Sequence, residues 1–467
     1  MTPLTDMKNF SLLSSSFLCF LMLVCSCGGS DKEATYNIVD FGAKGDGKTN
    51  DAVSIQNAID RCSENGGGTV VFPSGKTFLS GPLELKSNVN LHLEPNSTLL
   101  ASPNESLYTE SAFKENRDEG MMWLWGKDLE NISITGQGNI DGNGVAFMGE
   151  EKGDYFELKP VTVFDPRPHL LTLINCRNIR IKDLKIGNSA YWAIHLIGCE
   201  DATISDITLL NNLKVRNGDG IDLDHSRKIR ISGCYIESGD DGICLKNRRE
   251  YEEYGPCRDI VVSNCMLTSR SCAIKIGSEN MDSIDNVLFT NCIITDSNRG
   301  IGIQNRDEGT VSNITFSNMT VECHLYSDIW WGKSEPIYVT SFPRASINHK
   351  DANWRFPKGA TEGKSGEVND IRFYNISCRA ENGIYIDGDQ PGKIKNLVFD
   401  NVNVDIVKTT DYPGDVFDRR PCLGEGFIEA PHTGLYADNV AGLRIRELTI
   451  TGAGSPVFRN CTNISDK

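Results

Sequence analysis

The sequence predicts an all-β fold, a parallel β-helix (β-solenoid) of about ten coils, and three observations support this prediction. A strand-like phrase recurs along the chain, a second phrase recurs about once per repeat, and helical patterns are scarce. Of the 467 residues, 44 are glycine and 39% are hydrophobic, which is enough for a large core. The net charge of −16 argues against a nucleic-acid partner, which would need a basic surface.

The first phrase alternates apolar and polar residues, as in Ile132-Ser133-Ile134, and this period of two is typical of a half-buried strand. Between Ile179 and Ile314 it returns after 23, 27, 31, 27 and 27 residues, a period too short for most propeller blades. Many copies follow an Asn or Asp, residues that favour turns. These are Asn178, Asp201, Asp259, Asn286, Asn313 and Asp370.

The second phrase has a small residue, Ile, any residue and an apolar residue, as in Gly220-Ile221-Asp222-Leu223. We expect its copies to stack as strands of one sheet, so that Asp219 and Asp241 lie one above the other on successive coils. The residue between the two apolar ones points outward. The predicted outward row is His195, Asp222, Lys275, Tyr338 and Tyr385, and the row beside it is Asp224, Lys246, Gln304 and Asp387. We expect these rows to form an exposed cleft floor.

The N-terminus resembles a bacterial lipoprotein signal. Lys8 supplies a positive charge, and the apolar run that ends at Val24 is too short to span a membrane. We expect residues 1–26 to be a signal peptide with Cys27 as the lipidated residue, Cys25 being the alternative. Residues 27–35 are predicted to be a tether and residues 36–467 the β-helix domain. The protein is expected to be exported and anchored to the outer membrane.

Thirteen of the 16 cysteines lie beyond the signal region. Their wide spacing contains no C-x-x-C pattern, and most recur at one point of the repeat. We interpret them as small buried hydrophobic residues and expect no metal and no cofactor.

The candidate catalytic residues lie in two Asp-rich turns, Asn217-Gly218-Asp219 and Ser238-Gly239-Asp240-Asp241. Hydrolysis of a glycosidic bond needs a protonated carboxyl group for the leaving oxygen and a carboxylate for the water. Crowded carboxylates raise one another's pKa, so an acid and a base can coexist. Each motif alone would be typical of an ordinary turn. Three aspartates stacked on adjacent coils favour a catalytic role instead.

On these motifs the chain resembles glycoside hydrolase family 28, the polygalacturonase-type pectin hydrolases. The resemblance covers residues 36–467 and includes the opening phrase from Tyr36 to Asp51 and the coil from Tyr191 to Cys199. The family's Asn-Thr-Asp motif is here Asn217-Gly218-Asp219, and its Asp-Asp pair is Asp240-Asp241. The resemblance implies a right-handed β-helix and an inverting mechanism without metal.

The resemblance implies that Asp240 is the general acid and that Asp219 and Asp241 position and deprotonate the attacking water. The chain departs from the family pattern at two places, where the family's histidine and its carboxylate-binding Arg and Lys are absent. The family's Gly-His-Gly aligns with Arg270-Ser271-Cys272, and the Arg-Ile-Lys that grips the galacturonate carboxylate aligns with Gly302-Ile303-Gln304. The expected substrate-binding residues are Asn217, His195, Asp222, Lys246, Lys275, Gln304, Arg306, Trp331 and Tyr385.

Among these, Arg306 is a candidate for the missing cation and Trp331 for a sugar-stacking platform. The segment Phe417-Asp418-Arg419-Arg420 is interpreted as a surface feature.

We expect a monomeric hydrolase of a decorated or terminal pectic structure. A polysaccharide lyase or a non-catalytic glycan-binding solenoid is the alternative.

Overall fold

The computed structural model describes residues 34–114, 117–151, 158–160, 166–328, 330–344 and 364–466. The predicted signal peptide and the candidate lipidation site Cys27 lie outside the described residues. Successive strands lie on successive turns of a coil and pair in parallel, so the described chain is a parallel β-helix.

One sheet carries the second sequence phrase, and we call it the floor sheet. Its strands pair in parallel. They are Leu83–Glu84, Met121–Lys127, Pro168–Ile174, Ile194–Ile197, Ile221–Asp224, Ile243–Asn247, Cys272–Asn280, Arg299–Asn305, Ile337–Ser341, Ile384–Gly388, Leu435–Asp438 and Val457–Arg459.

The remaining parallel strands form the back and side of the coil and carry the first phrase. They are Thr35–Asn37, Asp46–Asn50, Gly68–Phe72, Thr77–Ser80, Val89–Leu93, Thr98–Ala101, Glu130–Gly136, Asn139–Asp141, Arg177–Lys182, Lys185–Gly187, Glu200–Ser205, Thr208–Leu210, Arg227–Ser232, Tyr235–Ser238, Cys257–Ser263, Met266–Ser269, Ser283–Thr290, Ile293–Ser297, Thr310–Cys323, Val368–Ala380, Ile394–Ile406, Val440–Thr451 and Thr462–Asp466.

Short 3₁₀ turns occur at Ile38–Phe41, Glu105–Leu107, Gly144–Phe147 and Arg249–Tyr254.

The core lies inside the coil because the inward residue of each phrase repeats in register. Along the back, Phe289, Phe316, Phe373 and Phe399 stack with ring centroids 5.2, 5.3 and 4.8 Å apart. Twelve of the thirteen cysteines among the described residues are buried, which confirms their interpretation as small core residues.

The polar residues before the strands turn the chain at the corners of the coil. All six predicted Asn and Asp positions have a left-handed backbone, with φ between 51° and 58°. Asn and Asp tolerate this conformation better than other non-glycine residues. At one corner the side chain of Asn178 also donates a hydrogen bond to Asn131 on the preceding coil, at 2.6 Å.

A helix at Ala52–Glu64 packs against the first coils through Ile55, Ala58, Ile59 and Cys62. The sequence pattern did not predict it. Within the described ranges, no helix is long and apolar enough to cross a membrane.

Two structures cover the outer face of the floor sheet. At its N-terminal end lies what we call the aromatic cluster, formed by Ala112, Phe113, Met122, Ile174, Tyr191, Trp192, Ile197 and Tyr251. At the other end lies the C-terminal hairpin, in which the antiparallel strands Val416–Asp418 and Phe427–Glu429 flank the loop 419–426.

Candidate active site

The register of the floor sheet confirms the predicted rows. His195 pairs with Asp222, Asp222 with Cys244, and Cys244 with Lys275. Asp224 pairs with Lys246 in the neighbouring row. The strand alternation therefore identifies the outward side chains correctly.

Asp219 and Asp241 lie on adjacent coils, each two residues before the first Ile of its floor strand. The Gly220 amide donates to the Asp241 carbonyl at 2.9 Å, which fixes the two turns in register. Glycine is required after each aspartate, since a Cβ on Gly220 would lie 2.4 Å from the carbonyl oxygen of Gly242. The glycines thus let two charged turns approach closely.

Asp240 is held from both sides of its coil. Its carbonyl accepts hydrogen bonds from the hydroxyls of Ser238 and Ser269. Its Oδ2 accepts the Asn217 amide at 3.3 Å, and the Asn217 side chain accepts from Arg167 at 3.1 Å. Asp240 is 7% exposed, so its carboxyl group lies at the mouth of an otherwise buried cluster.

Two lysines compensate part of the negative charge. Lys275 Nζ lies 2.6 Å from Asp241 Oδ2, and the Ser271 hydroxyl donates to Oδ1 of the same carboxylate at 3.0 Å. Lys246 Nζ lies 2.8 Å from Asp222 Oδ1, and both side chains are buried. Ser271 thus provides a polar contact within the segment that aligns with the family's Gly-His-Gly.

Asp219 and Asp222 have an elevated proton affinity. Burial raises the pKa of Asp219 well above its usual value, and the nearby carboxylates of Asp222, Asp240 and Asp241 raise it further. Burial also raises the pKa of Asp222 to about 6, although Lys246 opposes this rise. The site therefore combines Asp241, which contacts Lys275, with Asp219, whose pKa is raised by burial and by the neighbouring carboxylates.

His195 is fully buried beside the aspartates and was expected to lie on an exposed floor, so that expectation is wrong. The Trp192 ring covers it at 4.8 Å, and its Nε2 lies 3.5 Å from Asp224. Burial, with the charges of Lys246 and Arg248, lowers the pKa of His195 well below its usual value. Its imidazole is therefore neutral.

His169 and Thr172 belong to the same buried polar group and were missed in the sequence. Their side-chain nitrogens and hydroxyl, like both nitrogens of His195, have no hydrogen-bond partner in the described structure. The sequence contained a signal, because Thr172 stands between Leu171 and Leu173 as the outward residue of the second phrase does, and its strand pairs with that of His195. This coil differs from the second phrase in lacking the small residue and the Ile that follows it.

At the C-terminal end the expectation of an open floor is also wrong. Tyr338 and Tyr385 point outward but are fully buried, and Tyr385 stacks on Phe417 of the C-terminal hairpin at 4.5 Å. Gln304 donates its amide to the Arg420 carbonyl at 2.7 Å. These side chains bind the chain itself, so Tyr385 and Gln304 do not face a substrate here.

Arg306 is likewise not a free cation. Its guanidinium donates to the carbonyls of Arg419 and Pro421 at 2.7 and 2.6 Å and to Thr340 at 2.9 Å, and it is fully buried. The interpretation of Arg306 as a replacement for the missing carboxylate-binding residue is therefore wrong.

Trp331 is half-buried, with the guanidinium of Arg420 5.3 Å from its ring centre. The interpretation of the segment from Phe417 to Arg420 as a surface feature was wrong, since Phe417 and Asp418 are fully buried. Among the described residues, no group of three or more His, Cys, Asp or Glu could hold a metal ion.

Comparison with known proteins agrees with this architecture. The model of "Glycosyl hydrolases family 28" matches residues 62–327. A probable polygalacturonase of Vitis vinifera is 31% identical over 269 residues, which are 54% of this chain and 53% of the relative. An exo-poly-alpha-D-galacturonosidase of Dickeya chrysanthemi is 27% identical over 54% of this chain and 49% of its own. The chain thus spans about half the length of these curated relatives.

Solved structures show the same fold. The family 28 exopolygalacturonase of Yersinia enterocolitica superposes with a TM-score of 0.71 at 20% identity, covering 93% of this chain and 78% of its own. An exopolygalacturonase of Thermotoga maritima gives 0.60 at 20% identity, covering 93% of this chain and 92% of its own. The prediction of a right-handed parallel β-helix is confirmed.

Proposed function

Because the chain belongs to glycosyl hydrolases family 28, we propose that it hydrolyses glycosidic bonds in a pectic or related acidic plant polysaccharide, with inversion at the anomeric carbon. The cluster of Asp219, Asp240 and Asp241 on adjacent coils is the observation that carries this proposal. The relatives named polygalacturonase and exopolygalacturonase support the substrate class.

In this proposal Asp240 donates its proton to the leaving glycosidic oxygen, since it is the aspartate nearest the surface. Asp241, whose charge Lys275 compensates at 2.6 Å, accepts the proton of the attacking water. Asp219 positions that water through its Oδ1, which has no hydrogen-bond partner in the described structure. The water attacks from the face opposite the leaving group, which inverts the configuration.

The substrate that we propose is a decorated or terminal pectic structure and not plain homogalacturonan. Gly302 and Gln304 carry no charge, and Gln304 already binds a backbone carbonyl. A charged bidentate contact contributes more than a neutral hydrogen bond, so a galacturonate next to the scissile bond would be held weakly.

A panel of glycans tests this proposal. Polygalacturonate, rhamnogalacturonan and branched pectic fractions are incubated with the protein, products are separated by chromatography, and the first anomer formed is identified by NMR. We expect products from a decorated fraction, with inverted configuration. Rapid cleavage of polygalacturonate would contradict the substrate. Unsaturated, ultraviolet-absorbing products would indicate a lyase, and binding without turnover would indicate a glycan-binding solenoid.

We further propose that the protein is exported as a monomer and anchored by a lipid on Cys27. The support is the positive and apolar N-terminal sequence, which ends in Val24-Cys25-Ser26-Cys27. Labelled palmitate should be incorporated in a bacterial host and lost in Cys27→Ala, with Cys25→Ala as the matched control. Labelling that is lost only in the control would move the site to Cys25.

A further inference from the structure

A cavity of about 630 Å³ lies beside the C-terminal hairpin, at the C-terminal end of the floor sheet. Its wall includes Val416, Phe427 and Ile428 of the hairpin strands and Arg459 of the last floor strand. The volume is within the roughly 300–1,000 Å³ that is typical of small-molecule sites. The cavity therefore has room for a mono- or disaccharide.

This cavity is separate from the aspartate cluster. Glu335 follows Asp241 by three coils, which is about 14 Å at the usual spacing of strands. Arg299 and Glu335 form a buried ion pair at 3.1 Å, and the amide of the cavity residue Lys333 donates to Glu335 at 2.7 Å. Because these buried groups stand between the cavity and the aspartates, a ligand in the cavity would not touch the reacting groups.

An exposed aromatic ring and a buried ammonium border the same space. Phe427 is 39% exposed, and its ring centre lies 5.4 Å from the ammonium of Lys333. Lys333 is 6% exposed and donates to the carbonyls of Ser327 and Asp328 at 3.4 and 2.7 Å. An ammonium has three N–H donors, so one donor remains for a ligand. The apolar face and the hydroxyls of a pyranose match this pair of groups.

The charges around the cavity are mixed. Lys333 and Arg459 are cationic, whereas Asp328, Glu425 and Glu429 are anionic. Sugar hydroxyls both donate and accept hydrogen bonds, so both kinds of side chain can bind a neutral sugar. The carboxylate of a uronate would be repelled by the three acidic side chains. The cavity thus favours neutral sugars over uronates.

We infer that this cavity is a second glycan-binding site, and that it takes a neutral mono- or disaccharide of the kind that branches from a decorated pectic polymer. The ring of Phe427 packs on the face of the sugar, and Lys333 and Arg459 donate to its hydroxyls. The choice of a sugar as the ligand rests on the proposed hydrolase function. A branch held here keeps a decorated polymer near the aspartate cluster.

Saturation-transfer difference NMR tests the inference on the Asp240→Asn protein, in which the probes are not cleaved. The probes are galactobiose, arabinobiose and xylobiose, with digalacturonate for comparison. We expect signals from at least one neutral disaccharide, and we expect Phe427→Ala to abolish them. The matched control is Phe458→Ala, which removes a ring of similar exposure outside the cavity and should leave the signals unchanged.

Signals of the neutral probes that survive Phe427→Ala, or no signal from any neutral probe, would overturn the inference. Digalacturonate signals that require Phe427, in place of neutral ones, would also overturn it, since they would show a uronate site. These measurements do not depend on hydrolysis. A cavity that binds no sugar therefore leaves the proposed function intact, and binding through Phe427 by a protein that cleaves no glycan would overturn the proposed function alone.

Discussion

Asp219 and Asp241 occupy the same row of the floor sheet in different surroundings. Asp241 has a lysine and a hydroxyl within hydrogen-bonding distance, whereas burial among other carboxylates raises the pKa of Asp219. Two identical side chains one coil apart thus have different electrostatic surroundings. Neighbours on the next strand create this difference, because the backbone of the two turns is nearly equivalent.

Replacement of Asp219, Asp240 or Asp241 by Asn should lower kcat by about 10²- to 10⁴-fold, the usual contribution of a positioned acid or base. Combined variants should lose little more than single ones, because the three residues act on one proton-transfer sequence. Steady-state kinetics on the cleaved glycan measures the effect, and thermal unfolding checks the fold. Loss of folding in all three variants would show that these aspartates form turns and would contradict their catalytic role.

Lys246→Met should destabilise the protein more at pH 8 than at pH 5. The pKa of Asp222 is about 6 with Lys246 beside it, and Lys246 lowers that pKa. Without Lys246 the pKa rises, so at pH 8 the folded variant must either bind a proton at Asp222 or bury a carboxylate that has no cation. Breaking such a pair costs about 3–5 kcal/mol. At pH 5 Asp222 is protonated and the loss should be smaller. Denaturant unfolding at both pH values measures this.

The double variant Asp222→Asn/Lys246→Met provides the control, since it removes both charges. We expect it to recover much of the stability at pH 8. Equal losses at both pH values, without recovery in the double variant, would show that Lys246 acts by packing on Trp192.

At the scale of the element, the C-terminal hairpin differs from the strands beneath it. Its own two strands are three residues each, and a hairpin of this size has little stability alone. Its place is set by contacts with floor side chains more than 100 positions earlier, such as Arg306. One buried guanidinium therefore carries much of its attachment.

Arg306→Met should lower the free energy of unfolding by at least about 3 kcal/mol, because it leaves the buried carbonyls of Arg419 and Pro421 without donors. The matched control is Arg446→Met, where the arginine is half-exposed and its loss should change stability little. Chemical denaturation measures both. Equal stability of the two variants would show that the hairpin is held by aromatic packing alone.

The strands of this protein are predictable from the sequence, whereas the loops that cover them are not. The period-two phrases predicted the strands, their register and the outward rows, because those depend on neighbouring residues and a repeated coil. They could not predict that Tyr385 and Gln304 would be covered, because alternation identifies the face of a side chain and not what packs on it. The partners Phe417 and Arg420 are distant in sequence and follow no repeat. The catalytic roles of the aspartates stay predictions.

For the whole molecule, buried carboxyl groups along the floor make stability depend on pH. Burial raises the pKa of Asp387 from 3.8 to about 7, although Tyr385 and Arg419 oppose the rise. The folded protein therefore binds this proton more tightly than the unfolded chain. The resulting stabilisation is fully present below pH 3.8 and is lost as the pH rises through 7.

Asp387→Asn should flatten the fall in unfolding free energy between pH 5 and pH 8, because it removes a carboxyl group that ionises in a buried place. The shift of about three pKa units corresponds to at most about 4 kcal/mol at pH 8. Exposed Asp405→Asn is the control and should keep the wild-type slope. Parallel curves for all three proteins would contradict the role of Asp387.

The C-terminal hairpin lies outside the repeated coils of the β-helix, and this position has an evolutionary consequence. The coils are stabilised by the phenylalanine stack and the inward Ile rows, and no residue of the loop 419–426 belongs to either. Insertions and deletions in that loop that keep the carbonyls bound by Arg306 leave the inward rows in place, and each one changes the surface beside the floor sheet. Separate stretches of the chain thus encode the hydrophobic interior and this part of the surface, so the surface can change in evolution while the interior is kept.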